Sequence, residues 1–369
     1  EPTEGAYKIA MITDYGDITD QSFNQTTYEA CKAFAEDNSI EFSYFRPAGD
    51  NTADRVAMIE KAVDEGFNVI VMPGYAFGGA IVEAAPEFPD VKFIALDVAA
   101  GDLLETAVAK AGESYDFNPS NWDLNKYVDM SNVYCAVYQE ELCGYMAGYA
   151  AVKLGYKNLG FLGGMAVPAV VRYGYGFVQG VDAAAADLGL TDVKLNYIYG
   201  GQFFGDADIT AVMDTWYQGG TEVVFACGGG IYTSAVDAAK KVGAKVIGVD
   251  VDQAGVIANY AGVDGMTVTS AMKGLYPATY DTLTDVIVNG NWEKYVGKIE
   301  TLGLVSGTDP EANYVQIPMG DGTQWSDSFT QDDYKAMVKD MFDGKITVSN
   351  DITAMPQTTI TVNEYGNIK

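Results

Sequence analysis

The sequence contains no histidine among its 369 residues. Triads and dyads that need a histidine base are therefore excluded. There are only four cysteines, Cys31, Cys135, Cys143 and Cys227, and none forms a CxxC pair, so a zinc site is not expected. Each lies among apolar neighbours and reads as a buried free thiol rather than half of a disulfide. Positive charge is also scarce: 22 Lys and Arg face 51 Asp and Glu, a formal net charge of −29. Such a surface repels nucleic-acid phosphates and anionic membrane. It suits a soluble protein in a salty or extracytoplasmic setting. No apolar run reaches the roughly 18 residues that a membrane span needs. There is no GKS or GKT phosphate loop, and the turn Gly228-Gly229-Gly230 lacks the G-x-G-x-x-G spacing of nicotinamide sites. No cofactor and no metal are expected.

What is present is enough apolar material, 48% of residues, for sizeable cores, in a chain long enough for two domains. The first residue is Glu1, so either a leader has been removed or the chain was trimmed, and residues 1–6 read as a polar tether. The organising stretch is Lys8 to Gln25. Ile9 to Ile12 is short and apolar, as in a buried strand; a polar turn follows, and a helix is ready to start near Ser22. In open α/β sheets ligands collect beyond the carboxyl ends of the strands. Asp14, Phe23 and Asn24 would stand there, as would a plain turn in which Ser22 or Asn24 caps the helix.

The same strand-then-helix rhythm continues. Strands are expected at Phe42–Phe45, Val69–Met72 and Lys92–Leu96, with helices at Thr27–Asn38, Thr52–Glu65 and Gly78–Ala85. Residues 98–131 break it and read as a long functional connection holding at most a short helix, Leu103–Lys110. From Asn132 a second run of similar size follows, with strands near 132–138, 158–162, 193–199, 222–226, 245–248 and 267–272. Alternation of this kind implies parallel sheets covered on both faces, in two similar lobes. The tail adds a strand at Val315–Ile317, an insert near Asp321–Asp327 and a helix at Gln331–Phe342.

Acids recur at the strand ends: Asp14, Asp97, Asp250 and Asp252. Carboxylates there can take the paired hydroxyls of a sugar, form a glycosidase pair or a hard-metal site, or cap the next helix. Phe203 and Phe204 sit in a glycine-flanked loop and pack on either a ligand ring or a neighbouring loop. Lys273 follows a strand and either donates to a ring nitrogen or carbonyl or pairs with a carboxylate.

Six stretches then carry a resemblance: Asp20-Gln21-Ser22-Phe23-Asn24-Gln25; Phe93 to Asp97 after Pro89-Asp90; Gly144 to Gly148; Gly163-Gly164 with Pro168 and Gly176-Phe177; Gly248 to Gln253; and Thr269 to Lys273. In this order, across roughly residues 7 to 305, the chain resembles the basic membrane protein family of substrate-binding lipoproteins, the purine nucleoside receptors that serve ABC importers. The resemblance implies a type I periplasmic-binding fold: two doubly wound parallel-sheet lobes joined by three hinge crossings. It implies an N-terminal lobe of residues 7–131 plus about 262–305 and a C-terminal lobe of 132–261 plus about 306–369. It implies no enzyme. Carried over by motif, Asp14 and Asp97 make polar contacts in the first lobe and Phe23 stacks on the base with Asn24 beside it. Phe204, or else Phe203, supplies a second aromatic face. Gly229 lies against the ligand, Asp250 holds ribose hydroxyls, and Lys273 is a further contact. The implied partners are a nucleoside, an ABC permease and, through a lipid anchor upstream of Glu1, the outer face of the bacterial cell membrane. Inserts at 98–131 and 306–327 leave room for a flavin or sugar-like ligand instead. A carboxylate-based nucleoside hydrolase or a sensor on the same fold are the competing classes.

Overall fold

The computed structural model describes residues 6–369. Most of the expected tether therefore lies outside the described residues. The chain divides into two compact units, one taking residues up to Val137 with Leu275–Leu302, the other Tyr138–Gly274 with Gly303–Lys369.

In the first unit the order is β1 (Lys8–Ile12), α1 (Phe23–Asp37), β2 (Glu41–Phe45), α2 (Thr52–Asp64), β3 (Val69–Pro73), α3 (Gly78–Ala84), β4 (Lys92–Leu96), α4 (Ala100–Lys110), α5 (Leu124–Tyr127) and β5 (Val133–Tyr138). The second unit runs α6 (Glu140–Lys153), β6 (Asn158–Gly163), α7 (Pro168–Asp187), β7 (Lys194–Tyr199), α8 (Ala207–Gln218), β8 (Val223–Cys227), α9 (Tyr232–Val242), β9 (Lys245–Asp250), α10 (Ala254–Ala261) and β10 (Thr267–Lys273). The chain returns to the first unit for α11 (Leu275–Leu283) and β11 (Ile299–Leu302). It ends in the second with β12 (Val315–Gln316), α12 (Gln331–Phe342) and β13 (Thr361–Asn367).

The sheets are ordered β2-β1-β3-β4-β5-β11 and β13-β7-β6-β8-β9-β10-β12. Their central ladders are parallel, and β12 joins antiparallel to β10 at an edge. Each sheet is apolar on both faces, as covered parallel sheets must be. In β1, Ala10 and Ile12 enter one core layer and Ile9 and Met11 the other. In the second unit Leu159 and Phe161 enter one layer and Leu162 the other. All four cysteines are buried and free.

The structure moves several expected boundaries. The strand near Asn132 does not open the second unit: β5 pairs with β4, Phe93 opposite Val133, and closes the first sheet. Likewise β10 pairs with β9 in the second sheet, so the chain crosses after these strands, and the third crossing falls at Leu302. Residues 98–131 are not one long loop. α4 is an ordinary crossover helix that buries Leu103, Leu104, Ala107 and Val108. Its start resembles a turn because Asp102 accepts the Ala99 N–H at 2.8 Å and caps the first turn. After α4, residues 111–131 carry a 3-10 turn at Pro119–Asn121 and the short α5 before β5 begins. α1 starts at Phe23, beside the start expected near Ser22 and four residues before Thr27, and α5, α10, β11 and β13 lie outside the expected elements. β13 is a largely exposed edge strand with no alternating apolar pattern to betray it.

Candidate functional site

At the carboxyl end of the first sheet, the turn after β1 is tied down by side chains. Asp14 Oδ1 accepts the N–H groups of Tyr15 (2.6 Å) and Gly16 (2.8 Å) and one from Asn24 Nδ2 (2.9 Å). Asn24 Oδ1 accepts the Asp14 N–H at 3.2 Å, and Nδ2 also donates to Asp20 at 3.0 Å. Both Asn24 donors are thus committed within the protein, and the residue is 3% exposed. Its role here is to hold Asp14. The expected caps, Ser22 and Asn24, are not the caps. Asp20 is, accepting the N–H groups of Ser22, Asn24 and Gln25 at 2.9–3.0 Å. Burial nevertheless raises its carboxyl, against the lowering effect of those bonds. Phe23 opens α1 and is half-buried against the core layer of Ile9 and Met11.

Three residues that the sequence did not single out stand with Asp14. Arg55, buried on α2, donates Nε to the Asp14 carbonyl at 2.9 Å and pairs with Asp50. The hydroxyls of Tyr15 and Tyr75 are pushed up, first by burial and then by the field of Asp14 on Tyr15 and of Asp50 on Tyr75. Asp97 follows β4 with φ +59 and donates its N–H to Ala136 at 2.8 Å.

The second sheet repeats the layout. Its ladder register equates Leu159 with Ile9, because both face the first residue of the next strand, Val223 and Val69. By the same count Lys245-Val-Ile-Gly-Val-Asp250 matches Lys92-Phe-Ile-Ala-Leu-Asp97. Asp250, like Asp97, is held at positive φ, +67. Gly228 matches Gly74, and both need a left-handed backbone, φ +153 and +121. The two phenylalanines of the Gly200–Gly205 loop have opposite settings. The Phe203 ring fills the space where a Cβ on Gly164 would lie and packs on the core. Phe204 is 57% exposed and bridges to Gly230, whose N–H meets the Phe203 carbonyl at 2.9 Å. Asp252 is exposed and caps α10 by accepting the Ala254 N–H at 3.1 Å, so the plain reading suits it.

Beneath Asp250 lies a buried chain of charges. Tyr173 donates its hydroxyl to Asp250 at 2.8 Å. Lys273, 4% exposed, has its ammonium 5.4 Å from the ring centres of both Tyr138 and Tyr173. Its carboxylate partner is Glu140, at 3.3 Å, which also accepts Arg172 Nε at 2.8 Å. Burial works against ionisation of Glu140, but Arg172 and Lys273 together hold it below the usual carboxylate range. The neighbouring Glu141 has no such partner for Oε2, and burial pushes it up to about 7. Glycines bring α6 and α7 close enough for this chain. A Cβ on Gly144 would overlap the Tyr173 carbonyl, and one on Gly176 the Glu141 carbonyl. Gly148 and Gly180 repeat the contact one turn on. In the sequence Glu140 is one more acid in a helix's first turn, where a carboxylate suits the helix dipole; only the facing Lys273 and Arg172 set it apart.

Two α/β units of this topology, with polar strand ends, define the type I periplasmic solute-binding class. A solved solute-binding protein of an ABC transporter system from Aeropyrum pernix superposes on 94% of this chain and 88% of its own, with TM-score 0.65 and 21% identity. One from Conexibacter woesei gives 0.65 over 94% and 99%, at 19% identity. The chain belongs to the Bmp family, described as ABC transporter substrate-binding protein PnrA-like, which matches residues 7–308. Among its relatives is the ABC transporter nucleoside-binding protein BmpA of Lactococcus lactis, 26% identical over 92% of this chain and 88% of that protein. Basic membrane protein B of Borreliella burgdorferi is 26% identical over 86% and 85%. An uncharacterised lipoprotein of Pyrococcus abyssi is 25% identical over 80% and 67%. Membership implies a small-molecule ligand and a membrane permease as partners.

Proposed function

We propose that this protein captures a purine nucleoside outside the cytoplasm, without turning it over, and presents it to an ABC permease from a lipid anchor on the cell membrane. The observation that supports this most is the matched pair Asp97 and Asp250, each held at positive φ at the same register position of its own sheet. Backbone strain clusters at active sites and ligand clamps, which supports a ligand role for both carboxylates. Phe23 and the exposed Phe204 supply stacking faces, at about 1–3 kcal/mol per base by analogy with nucleic-acid sites. Asp250, Asp14 and Asp97 take hydroxyl and ring N–H donors, Lys273 supplies positive charge, and Gly229, at φ +50, leaves room for close approach. Asn24 positions Asp14 rather than the ligand. The name of the Lactococcus relative supports the ligand class, and that of the Pyrococcus relative supports the anchor.

The test is native mass spectrometry of the purified protein before and after mild unfolding, then titration with adenosine, guanosine, inosine, uridine and riboflavin. A retained or saturating purine nucleoside, lost in Phe23→Ala and Asp250→Ala, is the expected result. Release of free base on incubation would overturn the reading of a binder. Retention of a different mass, with silence toward nucleosides, would overturn the ligand class.

A further inference from the structure

The chain crosses between the units after Val137, Gly274 and Leu302. On the side of the second unit, the three crossing segments meet. Gln139 packs so closely on Gly303 that a Cβ there would overlap its amide oxygen. Tyr314 links the other two, donating its N–H to Gly303 at 3.0 Å and accepting the Gly274 N–H at 2.6 Å. Glu140 stands two residues beyond Tyr138, and Lys273 one residue before Gly274. Their buried ion pair therefore joins the first crossing to the second. The Tyr138 ring, at the crossing itself, flanks the same ammonium. From Lys273 the chain of contacts continues through Tyr173 to Asp250.

We infer that Glu140 is a positioning residue. Its carboxylate, shared between Arg172 and Lys273, fixes the Lys273 ammonium at the strand ends and ties it to the first and second crossing segments. One fully buried acid thus sets both the placement of the Lys273 ammonium and the packing of the first and second crossing segments. This rests on the reading of Lys273 as a ligand contact. Breaking a buried pair on one side leaves an uncompensated charge, so the consequence is large.

The test has a ligand-free arm and a ligand arm. Without ligand, the Lys273 side chain is titrated by NMR in the wild type and in Glu140→Gln, and amide exchange is followed over residues 137–140 and 272–276. In the variant the Lys273 titration moves to lower pH, because a buried ammonium has lost the carboxylate at 3.3 Å. Exchange in both segments rises by about tenfold. The double variant Glu140→Gln/Lys273→Met, which removes both charges, restores slow exchange, and it carries that measurement if the single variant does not fold. Glu140→Asp restores part of the wild-type behaviour. Unchanged titration and unchanged exchange in Glu140→Gln would overturn the inference. With ligand, Glu140→Gln weakens binding by about tenfold and Glu140→Asp recovers part of it. Wild-type affinity in Glu140→Gln would overturn the positioning role. A wild type that takes up no nucleoside overturns the proposed function alone, since the ligand-free arm still decides the role of Glu140.

Discussion

The two units share a register but furnish it differently. Where the first strand of the first unit ends in Asp14, the matching position of the second is Gly164, and the space above it holds the Phe203 ring. Where the first unit places Tyr75, the second places Gly229. The first unit's strand ends are thus lined with polar groups around Asp14, Asp50 and Arg55; those of the second are open, with their charges sunk beneath Asp250. What both retain is an aspartate at positive φ at the carboxyl end of the fourth strand and a left-handed glycine after the third. The shared features place a carboxylate at the same strand end of each sheet, and the differing ones change what surrounds it.

The sharpest asymmetry in packing is the glycine seam of α6 and α7. Gly176→Val drives a side chain into the Glu141 carbonyl and should cost about 3 kcal/mol or more. Calorimetry should show the second unit melting early and the first at its usual temperature. Coincident loss of both would mean that the units do not unfold separately.

Each unit also draws an acid out of full contact with water, Asp20 partly and Glu141 wholly, with opposite provision. Asp20 accepts three backbone N–H groups, whereas Oε2 of Glu141 has no hydrogen-bond partner and faces Glu140 and Arg172. Its carboxyl sits at about 7 against an ordinary 4.5. Between those values the folded chain holds a proton that the unfolded chain has lost. The stability Glu141 lends is therefore full below 4.5 and is lost as pH rises through about 7. Glu141→Gln should match the wild type at pH 4.5 and exceed it at pH 8 by at most about 3 kcal/mol, as read in urea titrations at both values. Equal curves would place the ionised carboxylate in better company than its contacts indicate.

A smaller effect tests the exchange of Asp14 for Gly164. Gly164→Asp collides with the Phe203 ring and should cost about 1–3 kcal/mol. Adding Phe203→Ala should recover part of it, since the two sites share one space. Strict additivity would show that Phe203 is not what keeps a side chain out.

The strands and most helices were legible because period and length were unambiguous. Ile9–Ile12 and Val69–Met72 are short apolar runs, and Gln331–Phe342 is periodic to its ends. The crossings were not legible, since a strand that closes one sheet and one that opens the next have the same composition; pairing partners alone decide it. Asp14, Asp97, Asp250 and Lys273 stood out as polar residues after apolar runs. Arg55, Tyr173, Glu140 and Arg172 did not, because they sit on helices among residues of ordinary periodicity and acquire meaning only from what faces them. The choice between Phe203 and Phe204 depended on whether Gly164 and Gly228 left a hole for a ring, which no local pattern records.

The smallest effect bears most directly on the shared feature. If positive φ at Asp97 and Asp250 is strain held for a ligand, glycine at either site relieves it, by about 1 kcal/mol. Asp250 accepts the Tyr173 hydroxyl at 2.8 Å in a buried setting, and removing that acceptor costs about 1 kcal/mol or more. Asp250→Gly should therefore be close to neutral when followed by chemical denaturation, and Asp97→Gly should show the same relief set against its own side-chain contacts. Asparagine tolerates left-handed backbone, so Asp97→Asn should leave stability nearly unchanged while removing the charge. Weaker ligand binding in all three variants, set against unchanged or higher stability, would separate what these carboxylates do for the ligand from what they do for the fold. Loss of stability in Asp97→Gly would break the comparison, because it would make that aspartate a structural residue with its function in the first unit's own packing.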